Sequence, residues 1–373
     1  MRKQLDGNAL SARRWLSLGL LLTLGCSTDT SDHSANISSH ARIFATVSAT
    51  SELLVLDEVS HEQLASVSIG HGPAIVLSTP NREQLFTANW ADNTVSAIDA
   101  ASYAVTPIPM AGRPYVIAMA PDGAHVYVGV YTVNQIAVIN TATRAIERTF
   151  DMASLPASII VSPDGHTLYV ATLPNGGLSL ANGSLMAVSA DTGAIVQQPL
   201  EVGGSPGWVT IGPNGKKVYT LNFTTDDVTV VDTASWKVDT TIKTGAGSEG
   251  IIGQVTPDGS RLYVTNHGTT ELIAIDTATN TVVQHIPLSG KPVGITINTA
   301  GTRVYTTDFG PTSVNEKLLD ALTYLTTGVY NGTGSGQVSE FDIATGAQVG
   351  TIAVTGPGPT SVVVLPAPAV ATK

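Results

Sequence analysis

The chain has 373 residues and a formal net charge of −11, with 18 Lys and Arg against 29 Asp and Glu. That balance excludes nucleic acid as a partner, because binding a phosphate backbone needs clustered basic side chains. With 36 Gly, 20 Pro and 13% charged residues, the composition describes many short buried strands joined by tight turns, and excludes a disordered or helical chain.

In chain order, residues 1–25 carry Arg2, Lys3, Arg13 and Arg14, then an apolar run from Trp15 to Leu24. The run is too short to span a bilayer comfortably and reads as a secretion signal. The single cysteine, Cys26, follows Leu22-Thr23-Leu24-Gly25, which resembles the bacterial lipobox. The resemblance implies lipidation of Cys26 and a membrane partner through that anchor. Thr23 and Leu24 fit the pattern loosely, and ordinary cleavage nearby is the alternative. Arg13-Arg14 resembles a twin-arginine export signal, but paired arginines are common in any basic signal segment, and ordinary secretion is the leading reading. Ser27 does not resemble an inner-membrane retention signal, so the expected location is the outer membrane, facing periplasm or surface. Residues 26–40 read as the lipidated cysteine and a polar tether. One cysteine leaves no disulfide, so sheet pairing, packing and ring closure must hold the fold.

From residue 41 one unit recurs: a Gly/Pro turn, an apolar run, a Pro-Asp-Gly type turn, a Leu-Tyr-Val strand, a Val-x-Val-Ile-Asp strand, then a Thr-rich turn and a last strand. The aromatic of its second strand falls at Phe44, Phe86, Tyr127, Tyr169, Tyr219, Tyr263 and Tyr305, which makes seven copies. Counted from each aromatic to the end of the third strand, five copies have a spacing of 13, while the fourth and seventh have 20 and 37. The fourth and seventh units therefore carry insertions. Four antiparallel strands per unit cannot bury both sheet faces alone, so the units must pack around an axis. The expected fold is all-β, a single seven-bladed β-propeller over residues 41–365, followed by a disordered tail at 366–373.

Residue 41 begins with a second strand, Arg42-Ile43-Phe44-Ala45, that has no first strand before it. Gly358-Pro359-Thr360-Ser361-Val362-Val363-Val364 matches the first-strand pattern of Gly72-Pro73 and Lys291-Pro292. The C-terminal strand is therefore expected to complete the first blade. Leu168-Tyr169-Val170, Leu262-Tyr263-Val264-Thr265-Asn266 and the Pro-Asp-Gly turns resemble the YVTN family of β-propeller repeats. That resemblance implies the fold and leaves function open, since one fold hosts unrelated activities.

Antiparallel connectivity puts the loops between blades, and those joining second to third strands, on one top face. Both insertions fall there, as does Asn89-Trp90-Ala91-Asp92. The longer insertion reads as a helix starting near Ser313-Val314-Asn315-Glu316, with an apolar stripe of Leu318, Leu319, Leu322 and Leu325 and an end at Gly328. The shorter, Leu173-Pro174-Asn175-Gly176-Gly177, reads as a polar loop. At or beside the residue preceding each first strand stand His71, Arg113, Glu249 and Lys291, charges expected to converge at the channel mouth. Such a set could bind an anionic ligand or do acid/base work, with ordinary solvated loop charges as the leading reading. Trp90 and His267 follow second strands on the same face and are further ligand-binding candidates, or gap-covering side chains. Trp208 and Trp236 read as packing residues in strands. Asn89, Asn222 and Asn266 end second strands and are expected to bond their own turns.

No Cys-x-x-Cys-His, zinc-spaced His/Cys cluster, Gly-x-Ser-x-Gly elbow or phosphate-cradling loop occurs, so no cofactor or metal is expected. The leading expectation is a non-enzymatic binding or scaffold protein of the cell envelope, whose top face contacts a protein, glycan or small ligand. The alternative resembles the seven-bladed propeller lactonases, with His71, Arg113 and Glu249 as catalytic candidates by analogy. A third reading, a subunit resembling quinone-dependent propeller dehydrogenases, lacks residues for cofactor attachment.

Overall fold

The computed structural model describes residues 40–173, 181–309, 335–356 and 358–367. The expected signal segment, Cys26, most of the tether and tail, the helix near Ser313–Gly328 and most of the shorter loop lie outside those residues.

The described residues form seven antiparallel sheets of four strands, the blades of a seven-bladed β-propeller. Blade 2 shows the plan, with strands Pro73–Ser78, Gln84–Asn89, Thr94–Asp99 and Val105–Pro109 paired in chain order. Blades 3 to 7 repeat it, their first strands being Pro114–Met119, Pro156–Val161, Pro206–Ile211, Gly250–Val255 and Pro292–Ile297. Blade 1 draws its first strand from the other end of the chain. Pro359–Leu365 pairs antiparallel with Arg42–Val47, Phe44 opposite Val363, and closes the ring as expected.

Successive strand residues face opposite sides of a sheet, and here both sides are buried. Ile43 accordingly packs with Tyr305 of blade 7, whereas its neighbour Phe44 packs with Leu85 of blade 2. The same division gives one apolar cluster at each of the seven blade interfaces. In every blade the repeated aromatic faces the following blade, which explains the recurrence of Phe or Tyr there. Truncating one of these buried rings costs about 3–5 kcal/mol.

The lower-face turns follow local chemistry. In Pro121-Asp122-Gly123 the Asp122 carboxylate accepts the Ala124 N–H at 2.9 Å, and Gly123 takes the left-handed backbone at φ +74°. Asp99, Asp232, Asp276 and Asp342 close the turns after third strands by accepting N–H groups two and three residues on, or three on alone. Trp236 belongs to such a turn, at φ +53°, and not to a strand as its apolar context suggests. It still packs, stacking 6.1 Å from Tyr169 and donating its indole N–H to the Gln198 carbonyl at 2.8 Å.

Candidate functional site in the central channel

The seven first strands stand side by side around the propeller axis and line a central channel. Trp208, third in the first strand of blade 5, reaches across it. The indole packs against clusters on several other interfaces and donates to the Gly253 carbonyl of blade 6 at 2.8 Å. Trp208, Ile75 and Ile252 line both of two chambers. The lower one, about 360 Å³, is walled by first strands of all seven blades, with mostly aliphatic side chains. The upper one, about 50 Å³, lies towards the top face and is lined by Tyr115, Val293, Phe309 and His267.

A repeated backbone contact builds the collar above this channel. The residue after each second strand donates its N–H to the carbonyl of the residue preceding a first strand, at 2.8–3.3 Å: Trp90 to Gly72, Tyr131 to Arg113, Phe223 to Ser205, His267 to Glu249 and Phe309 to Lys291. Leu173 to Leu155 and Ser48 to Gly358 complete the set. Most of the donor positions hold a large apolar side chain. His267 is the one imidazole among them.

The His267 ring is 4% exposed and meets Phe309 edge-on, centroids 5.9 Å apart. Its Nδ1 lies 3.1 Å from the Pro292 carbonyl oxygen, which can only accept, so Nδ1 carries the proton and Nε2 keeps a lone pair. No described residue bonds that Nε2. Burial, with a smaller contribution from the Lys291 charge, pushes the imidazole pKa down to about 4, against a raising effect of the Pro292 contact. His267 is therefore neutral at pH 7. Beside it, burial raises the Glu249 carboxyl above the usual range, opposed by Lys291 and assisted by Asp226. The Glu249 N–H donates to Asp226 at 3.0 Å, and its backbone sits at φ +49°.

The other expected site residues stand apart. His71 is exposed, and its Nδ1 lies 2.8 Å from the Ser51 hydroxyl, in the loop between the second and third strands of blade 1. Arg113 lies over the Trp90 ring at 5.5 Å. Trp90 is 2% exposed, in edge contact with Tyr115 and Tyr131 at 5.3 and 5.0 Å, so it covers the gap between blades 2 and 3. Glu249 and Lys291 influence each other across blades 6 and 7, but no described contact joins His71, Arg113 and Glu249.

Asn89 and Asn222 bond their own hairpins, through Thr94 and Ser96 and through Asp227 and Thr229. Asn266 does not. Ile273 stands where Ser96 and Thr229 supply hydroxyls, and the Asn266 amide turns to the Thr244 carbonyl at 3.5 Å instead. Sequence reading missed Trp208, Tyr115 and Phe309 as channel residues. For Trp208 the signal was present: a bulky aromatic in a first strand, the strand nearest the axis.

No family model matches the chain, and no curated protein matches it in sequence. Solved structures do match in fold. A hydrazine synthase chain of Kuenenia stuttgartiensis aligns with a TM-score of 0.64 at 20% identity, over 81% of this chain and 96% of that one. The dihydro-heme d1 dehydrogenase NirN aligns at 0.58 and 16%, over 86% and 74%. A candidate 6-phosphogluconolactonase from Bacteroides uniformis aligns at 0.66 and 14%, over 88% and 100%. At such identities these likenesses speak for the propeller fold alone.

Proposed function

We propose that this chain is an exported propeller, anchored in the cell envelope through Cys26, that binds a small ligand at the top of its channel. The reading keeps its likeness to YVTN repeats, which rests on the Leu-Tyr-Val strands and Pro-Asp-Gly turns. One observation carries the proposed site: His267, nine-tenths buried above Trp208, holds its Nδ1–H on Pro292 and leaves Nε2 unbonded by any described residue. An acceptor on a buried ring that lines the upper chamber is placed to take a hydrogen bond from a ligand there. The ligand that fits offers an O–H or N–H to Nε2 beside an apolar edge that rests against Trp208 and Phe309, while Glu249 and Lys291 meet its polar side.

Binding is favoured over hydrolysis. An imidazole with a pKa near 4 is a weak general base at neutral pH, and the three lactonase-like candidates make their contacts in separate places. The test is a thermal-shift screen of the chain from residue 26 on, carrying Cys26→Ser, against lactones, sugar acids, glycans and quinone cofactors. A compound should raise Tm in this protein and not in its His267→Phe derivative. Lactone hydrolysis abolished by His71→Ala and Glu249→Ala would instead establish the enzyme.

A further inference from the structure

On the lower face, at the other end of the strands from the collar, a pocket of about 610 Å³ opens where blade 1 meets blade 2. Arg42, at the start of the second strand of blade 1, lines it and is 8% exposed. In blades 6 and 7 the corresponding arginines, Arg261 and Arg303, pair with the aspartates opposite them, Asp276 and Asp342. Arg42 stands opposite Asp57 in the same register but makes no ion pair with it. It crosses to blade 2, where Nη1 donates to the Ala100 carbonyl and the Tyr103 hydroxyl, each at 3.0 Å. Its Nε is sealed from water without a partner, and Nη2 has no bond to a described residue. Nη2, which is not sealed, is thus the donor that Arg42 has left to offer to the pocket.

Arg82 lines the same pocket. It occupies the turn position that Gly123, Gly165, Gly215, Gly259 and Gly301 hold in the following five blades, and keeps their left-handed backbone at φ +64°. A large side chain in a conformation that favours glycine is a local strain that turn formation does not require. Asp99 and Glu83 line the pocket as well, but their hydrogen bonds come from neutral donors, Asp99 from Ala101 and Ser102 and Glu83 from Asn81, and neither pairs with Arg42 or Arg82. Two guanidinium groups therefore face one pocket without a carboxylate partner among the described residues.

We propose that this seam pocket binds a small organic oxyanion, a carboxylate or phosphate ester, between Arg42 and Arg82. The anion accepts from Arg42 Nη2, and Arg82 closes over it from the turn. Since no residue of the channel collar takes part, this site stands or falls separately from the top-face ligand.

The experiment is isothermal titration calorimetry on the Cys26→Ser chain from residue 26 on, with succinate and with glycerol 3-phosphate as probes and potassium chloride of equal ionic strength as control. Saturable binding of at least one probe is expected, weakened about tenfold or more by Arg82→Gly, which restores the residue of the other turns and keeps the fold. Which probe binds tells carboxylate from phosphate ester. Absence of binding by both probes, or binding that Arg82→Gly leaves unchanged, overturns the proposal.

Discussion

His267 Nδ1 lies 3.1 Å from the carbonyl oxygen of Pro292, across the interface of blades 6 and 7, and this contact fixes the Nδ1–H tautomer while burial keeps the ring neutral. The consequence for stability has a definite sign. The unfolded chain protonates this histidine near pH 6.5, whereas the folded protein resists until about pH 4. Stability from this group is therefore complete above pH 6.5 and is lost as pH falls towards 4, by about 3 kcal/mol in total. Urea denaturation at pH 7 and at pH 4.5 should show the loss, and His267→Phe, the residue type at collar positions 223 and 309, should remove most of the difference between pH 7 and pH 4.5 attributable to this group. An unchanged pH dependence in that variant would refute the assignment.

Trp208 separates the two chambers. Trp208→Ala should join them into one passage, strip the Gly253 carbonyl of its indole donor, and cost about 3 kcal/mol by equilibrium denaturation. Trp208→Phe keeps most of the packing and should lose clearly less. Equal losses in the two variants would mean that the indole does not bridge the channel.

Ring closure depends on Pro359–Leu365. Besides its ladder with Arg42–Val47, the Thr360 hydroxyl donates to the Pro73 carbonyl of blade 2 at 2.7 Å and meets the Thr46 hydroxyl at 2.9 Å. A chain ending at residue 356 should expose the edge of Arg42–Val47 and aggregate on size-exclusion chromatography. A monomeric truncation with undiminished cooperative unfolding would show that blade 1 needs no first strand.

Anchoring has its own test. Cys26→Ser should move the protein from the detergent fraction to the soluble envelope fraction and abolish incorporation of labelled palmitate. Retention of the label would contradict lipidation at this residue.

The repeat, the blade number and the closing strand were legible because each depends on local chemistry that recurs seven times. The aromatic that faces the next blade performs the same task in each copy, and the turn after the third strand is closed by an Asp in five copies and by Asn140 and Ser189 in the other two. The channel was less legible, because its character comes from single departures from the repeat. His267 was singled out by residue type, but its burial and its bond to Pro292 come from the neighbouring blade. Trp208 looks like any strand tryptophan until ring geometry places the first strand on the axis. Arg113 and His71 looked like partners because both precede first strands, yet one is drawn over Trp90 and the other to Ser51 by contacts far apart in the sequence.

The most direct test of the top-face site follows Trp208 itself. With Trp90 and Trp236 replaced by Phe in the chain from residue 26 on, Trp208 is the remaining tryptophan. Its emission should change saturably as a compound found in the thermal-shift screen is added, and His267→Phe should abolish the change. If such a compound binds while Trp208 emission stays constant, or responds equally without His267, the ligand lies elsewhere and the channel is a structural core.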